Sequence, residues 1–280
     1  MIEPLLKDEA FLADVDRTVR DRAAQLRLWW LGQSGFLLQR NGRHLLFDPY
    51  LSDSLTRKYE QTQKPHVRMT QIVVAPERLS FVDVVTSSHN HTDHLDAETL
   101  IPLLAAARHD VSILVPAANR LFAAKRLGLA PDQLLTLDAG QSIETKSFDI
   151  TAVAAAHDKL ETDEKGRFLY LGYVVRAGPW TVYHSGDTVV YPGMAEVLRP
   201  HGIDVAILPI NGKVGNMNGL DAARLAKDMG AKLVIPCHYE MFEFNTASPE
   251  DFIVECEQIG QPFRVLRGGE GLTLGLQGDE

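Results

Sequence analysis

Ser88-His89-Asn90-His91-Thr92-Asp93-His94-Leu95-Asp96 packs four side chains of metal-ligand type into the six positions from His89 to His94. The run directly follows VDVVTSS (residues 82–88), a β-branched, strand-like segment. A loop leaving the end of a strand can turn several side chains toward one point. Neutral imidazole and carboxylate together suit Zn²⁺, Mn²⁺ or Fe²⁺. A polar loop that merely happens to be rich in histidine would carry the same letters, but convergence of several ligand types marks a metal or catalytic site. Three later segments repeat one arrangement, an apolar strand ending in a ligand type. TAVAAAH ends in His157, WTVYHSGD in Asp187 and KLVIPCH in His238. Each alone reads as an ordinary hydrogen-bonding residue at a strand end; with the loop they supply enough ligands for two adjacent cations.

Outward from this loop, strand and helix signals alternate. Residues 3–26 read as an amphipathic helix. RLWWLG, GFLLQ and HLLFDPY follow as short strands, the last two separated by Asn41-Gly42, a strong hairpin signal. Residues 52–75 are polar and lack a clear period, which predicts a loop or lid. LDAETLIPLLAAARH and AANRLFAAKRLG read as helices around the strand VSILVP. Residues 142–187 look like several β segments. DVAILPI and KLVIPCH are strands, LDAARLAKDMG and PEDFIVECEQIG helices, and FRVLRGG and LTLGL close the chain as strand-like pieces. No repeat, low-complexity tract or linker divides residues 1–280, so one domain with two helix-covered sheets is expected.

Composition narrows the function classes. Hydrophobic residues make up 45% and charged residues 23% of the 280 positions, a balance that buries a core without staples. Cys237 and Cys256 are the two cysteines, too few for a disulfide framework and compatible with a reducing cytosol. No uncharged apolar run is long enough to span a bilayer. The first residues mix acids and bases instead of forming a signal-peptide core, so a cytoplasmic protein without membrane partners is expected. With 28 Lys and Arg against 37 Asp and Glu, the net charge of −9 argues against a nucleic-acid partner.

The loop matches in full the HxHxDH signature of the metallo-β-lactamase superfamily, and the chain resembles that family. The later His157, Asp187 and His238 fall in the family's order and strand-end contexts. The resemblance implies an α/β, four-layer αββα sandwich with the site at one edge of its two sheets. It further implies one metal on His89, His91 and His157, a second on Asp93, His94 and His238, and Asp187 bridging them. The flavodiiron redox branch usually carries Glu in place of the second signature His, so His91 favours hydrolysis. WWLGQSGFLL, SHNHTDHLD, YHSGDT and VIPCHYEMF also look like the L-ascorbate-6-phosphate lactonase-like branch, although the chain is shorter than expected for a true ascorbate-phosphate lactonase.

Two divalent cations, Zn²⁺ or Mn²⁺ with Fe²⁺ also compatible, lower the pKa of a water between them and stabilise a developing oxyanion. Asp93, His94 and Asp187 are then the residues expected to hold that hydroxide nucleophile. The leading expectation is hydrolysis of a small anionic ester, a lactone first. A two-metal phosphodiesterase acting on a nucleotide or lipid head group is the alternative. A non-catalytic metal-binding protein ranks third, because structural zinc sites are usually closed and Cys-rich.

Around these ligands, Asp48 and His184 are candidates to orient ligand histidines from behind; a turn Asp before Pro49 and a buried structural His are equally open. Asp96 is a candidate helix cap or loop support. Gly32, Gln33 and Ser34 would turn the first hairpin close to the metals. Arg57, Lys58 and Arg68 lie in a basic stretch suited to an anionic substrate, or simply to solvent. Asn211, Lys213, Tyr239, Glu240 and Asn245 follow strands aimed at the site. His44, His66, His109 and His201 are assigned to surface or packing, and Cys237 to the core. A homo-oligomer is left open, with the N-terminal helix and the Trp29-Trp30 pair as candidate contacts, both equally at home in the core.

Overall fold

The computed structural model describes residues 1–20 and 25–275. Its first half carries α1 (Asp8–Arg20), β1 (Leu26–Gly32), β2 (Gly35–Arg40), β3 (Arg43–Phe47), α2 (Ser54–Tyr59), β4 (Val84–Thr86), α3 (Ala97–Ala106), β5 (Ser112–Pro116), α4 (Arg120–Leu127) and β6 (Leu134–Leu137). The second half adds β7 (Ser142–Thr145), β8 (Phe148–Ala154), β9 (Ala156–His157), β10 (Lys159–Leu160), β11 (Leu171–Ala177), β12 (Trp180–His184), α5 (Met194–Leu198), β13 (Val205–Pro209), α6 (Gly219–Met229), β14 (Leu233–Cys237), α7 (Glu250–Ile259) and β15 (Gly271–Leu274).

The strands form a seven-stranded sheet in the order β15-β1-β2-β3-β4-β5-β6 and a six-stranded sheet in the order β14-β13-β12-β11-β8-β7, while β9 and β10 pair only with each other. Alternation of side chains sets the layers. Leu28, Trp30, Phe36 and Leu38 point between the sheets, where they meet Ile150, Tyr173, Val175 and Val182. Trp29, Leu31, Leu37 and Leu46 point outward and pack on Phe11 and Val15 of α1, Leu100 and Leu103 of α3, and Ala123 of α4. Trp29 and Trp30 thus occupy opposite faces of one strand, and both are buried. Ala222, Ala226 and Met229 of α6, with Phe252 of α7, pack into the core on the far side of the second sheet. The result is a four-layer αββα sandwich.

Each sheet contains a parallel block, β3-β4-β5-β6 in one and β12-β13-β14 in the other. Parallel strands are covered on both faces and open at their C-terminal ends, where α/β sheets bind ligands. The sequence places HNHTDH after β4, Asp48 after β3, Asp187 after β12 and His238 after β14. One edge of the sandwich therefore collects them.

Some elements differ from expectation. Helix α1 begins at Asp8, because Ile2 bridges to Thr70 and the Leu5 amide donates to the Gly268 carbonyl. Residues 21–24 of the expected helix lie outside the described residues. Residues 52–75 are not uniformly irregular; they carry α2 and are tied back by the Arg68–Phe242 bridge and by Asp96. FRVLRGG forms no strand, only a bridge from Phe263 to Val234. Among the described residues, no helix is long and apolar enough to cross a membrane.

Candidate metal centre

His89, His91, His157 and Asp187 bring one ligand atom each to within 4.8 Å of one another, and Asp93, His94 and His238 form a second such group. Asp187 touches both groups. Its Oδ1 lies 3.1 Å from His94 Nε2 and its Oδ2 3.5 Å from His238 Nε2 and 4.0 Å from His89 Nε2. Asp93 Oδ2 lies 3.5 Å from His238 Nε2 and 3.7 Å from His94 Nε2.

The electrostatics fit cations. Burial pushes the Asp93 and Asp187 carboxyls up, yet the neighbouring His94 and His238 outweigh it and hold both below the usual carboxylate range. Burial likewise pushes His94 and His238 down, but the two carboxylates overcome it, raising His94 well above its ordinary value and His238 to about 9. His89, deeper among other histidines, is held well below its ordinary value by burial and by His94. His89 Nε2 and His157 Nε2 are buried without a hydrogen-bond partner, an arrangement costly unless something else satisfies them. Imidazole and carboxylate donors with no thiol or ammonium among them fit divalent transition metals. His91 is exposed and His157 half-buried, so the centre opens to solvent on one side, unlike a closed structural site.

Supporting contacts fix these side chains. Asp48 Oδ2 lies 2.6 Å from His94 Nδ1, which leaves Nε2 facing the cluster. Asp48 also accepts from the Ser88 amide at 2.9 Å and from the Ser88 hydroxyl. Ser88 Oγ in turn reaches His89 Nδ1 at 3.0 Å. Gly186 comes so close to Ser88 that a Cβ there would sit 2.5 Å from Ser88 Cβ, and Gly215 so close to His157 that a Cβ would sit 2.5 Å from its ring. Left-handed backbone at Gln33, Asp48, Val214 and His238 gathers around the same point, as strained residues do at functional sites.

Other candidates are sorted by the structure. His184 donates from Nε2 to the Ser34 carbonyl at 2.8 Å, accepts from the Gly186 amide at 3.3 Å and stacks on Phe47, which braces the turn before Asp187. Asp96 caps α3 and ties it to Ser52 and Ser54. Four proposed substrate contacts need correction. Arg57 pairs with Glu98 on the exposed face of α2. Arg68 is buried against Asp53, the Ser52 carbonyl and the Tyr50 ring. Tyr239 stacks on Trp30 and donates to the Leu266 carbonyl, inside the core. Lys213 is exposed and stands outside the cavity wall. Asn211 reaches the cavity only through Asn245, whose Oδ1 accepts from it at 2.8 Å.

The cavity over the centre measures about 390 Å³. Besides His91, Asp93, His157, Asp187 and His238, its wall includes Lys58, Tyr59, His66, Phe122, Arg126 and Asn245. Of the two readings given for His66, surface or packing, the structure shows packing, with Tyr59, Phe242 and Phe244 around the ring. Sequence reasoning missed Arg126 and Tyr170. Arg126 of α4 donates to the Asn90 and Leu95 carbonyls at 2.6 and 3.2 Å and so clips the ligand loop from outside. Tyr170 stacks on His157 at 5.0 Å. None of these stood in a motif.

Residues 27–238 match the family model described as a beta-lactamase superfamily domain. A UPF0173 metal-dependent hydrolase of Opitutus terrae is 33% identical over 258 residues, covering 89% of this chain and all of that protein. Two solved structures share the fold at 20% identity and a TM-score of 0.70. One is a possible metal-dependent hydrolase from Veillonella parvula, covering 90% of this chain and 100% of that one. The other is an isothiocyanate hydrolase from Delia radicum gut bacteria, covering 89% and 100%. The chain belongs to the metallo-β-lactamase superfamily, among its UPF0173 metal-dependent hydrolases. It is a metal-dependent hydrolase.

Proposed function

We propose that the protein hydrolyses a small anionic ester, a lactone first, at two divalent cations. His89, His91 and His157 would hold one cation and Asp93, His94 and His238 the other, with Asp187 between them. The observation that carries this reading is the sharing of Asp187 by two ligand groups at the floor of an open cavity. Zn²⁺, Mn²⁺ and Fe²⁺ all suit the donor set. When bound, such a pair supplies a deprotonated water near neutral pH and Lewis acidity toward a carbonyl or phosphoryl oxygen.

The chain's own residues define the rest. Asp48 and Ser88 fix the orientation of His94 and His89, so that reorganisation is small when substrate arrives. A cavity near 390 Å³ stands at the small end of ligand pockets. Tyr59, Phe122 and Phe242 give it apolar walls, against which a compact substrate body displaces water. Lys58 lines the same wall and, among the described residues, has no carboxylate partner; its ammonium lies 3.4 Å from Thr92 Oγ1. That charge supports an anionic substrate.

The test is hydrolysis of a matched panel of lactones and phosphodiesters by metal-stripped protein, with Mn²⁺ or Zn²⁺ added back. Metal-dependent lactone turnover is expected. Turnover confined to phosphodiesters would replace the lactone reading, and activity surviving thorough chelation would overturn the metal mechanism.

A further inference from the structure

Gln33 sits in the tight turn between β1 and β2, fully buried. Its backbone is left-handed, with φ of 50°, a conformation uncommon outside glycine. The turn is locked in place, since the Gln33 carbonyl accepts from the His238 amide and from Trp30 Nε1, each at 3.0 Å. The side chain is thereby aimed at the second ligand group. Its Nε2 lies 2.7 Å from Asp93 Oδ2 and 3.0 Å from His238 Nε2. Its Oε1 is buried and has no hydrogen-bond partner.

These two contacts are made to the atoms that would face a cation. Asp93 Oδ2 and His238 Nε2 are 3.5 Å apart, within the group formed with His94. The amide N–H that donates to Asp93 Oδ2 therefore sits on carboxylate lone pairs that a cation would claim. A cation and an N–H donor cannot both use them. Once those lone pairs are taken, the amide keeps its place with favourable electrostatics only by presenting oxygen instead of nitrogen. A half-turn about the last side-chain bond exchanges the two without changing the shape of the group.

Resting on the two-metal reading, the geometry points to Gln33 as a further ligand of the second cation, through Oε1. A neutral oxygen added to Asp93, His94 and His238 has a consequence for metal choice. Carbonyl oxygen and higher coordination numbers suit Mn²⁺, whereas Zn²⁺ is satisfied by four nitrogen or oxygen donors. Gln33 thus tilts the second position toward Mn²⁺, while the first position, which it does not touch, is unaffected.

The experiment is calorimetric titration of metal-stripped full-length protein with Mn²⁺ and separately with Zn²⁺, together with Mn²⁺ electron paramagnetic resonance. Wild type is compared with Gln33→Met, which keeps the volume, and Gln33→Asn, which keeps an amide too short to reach and tolerates the left-handed backbone. Circular dichroism confirms that each variant folds. In both variants the second Mn²⁺ is expected to bind about 10- to 100-fold more weakly, with a much smaller change for Zn²⁺, and the spectrum of the second Mn²⁺ should change. Equal weakening of both metals would assign Gln33 a packing role and overturn the inference. Tightening of both would show an amide that merely competes with the cation, and would overturn it equally. A wild-type chain that takes up a single cation would overturn the two-metal reading and this inference with it.

Discussion

His157 lies against a backbone with no side chain to spare. Gly215, at φ of 79°, leaves room for the imidazole, and a methyl group there would overlap the ring. Gly215→Ala should displace His157 and weaken the first cation about 10- to 100-fold, the range found when supporting contacts of a metal ligand are lost. Calorimetric metal titration checks this, and an unchanged affinity would mean that His157 is not a ligand. At this scale the seven candidate ligands were legible, because six consecutive positions held four of them and strand ends held the rest. The residues that position them were less so. Asp48 could be suspected from its place after β3, but Gly215 and Tyr170 read as ordinary loop residues. Their roles exist only through contacts made across the fold, which no spacing encodes. The four substrate-contact corrections have the same origin. Arg57, Arg68, Lys213 and Tyr239 stand near the site in sequence, yet ion pairs, the core or solvent claim their side chains.

Helix α4 shows how an element with no motif serves the site. Its Arg126 crosses to the ligand loop and holds the carbonyls of Asn90 and Leu95, while its guanidinium stacks on Phe122 at 4.3 Å. Hydrogen bonds from a charged donor contribute about 1.5–3 kcal/mol each when buried, and less at a half-exposed position. Arg126→Met keeps the aliphatic stem and removes the donors. It should destabilise the fold by roughly 1–2 kcal/mol, read as a lower urea midpoint with an unchanged slope. An unaltered midpoint would show that the loop holds its shape without the clip. Elements with strong periods, such as α6 and β13, were legible because packing agrees with their pattern. FRVLRGG has the composition of a strand but meets only the end of β14, so it makes one bridge and stops. The stretch 52–75 lacks a period because α2 is short and the rest is held by side chains rather than by a ladder.

For the whole molecule, the far end of the sandwich sets a pH limit separate from the metals. His44 is buried beneath Phe81, with neither ring nitrogen hydrogen-bonded. Burial lowers its pKa to about 4, against the pull of Asp83 and with a smaller push from His109. The fold therefore holds His44 neutral while the unfolded chain protonates it near its ordinary value of 6.5. Stability from this group is complete above that pH, is lost as pH falls toward 4, and changes no further below it. The loss amounts to roughly 3 kcal/mol. Across that window the urea midpoint of wild type should fall relative to that of His44→Leu as pH falls, and parallel curves would contradict the assignment. The four-layer sandwich itself was legible from the alternation of β-rich and αβ stretches together with the ligand loop. The proposed chemistry needs two cations that share Asp187. Counting bound metal per chain, by mass spectrometry of metal-loaded wild type and His238→Ala, tests it most directly. Two equivalents falling to one in the variant is the predicted result; one equivalent in wild type, or no change on losing His238, would contradict it.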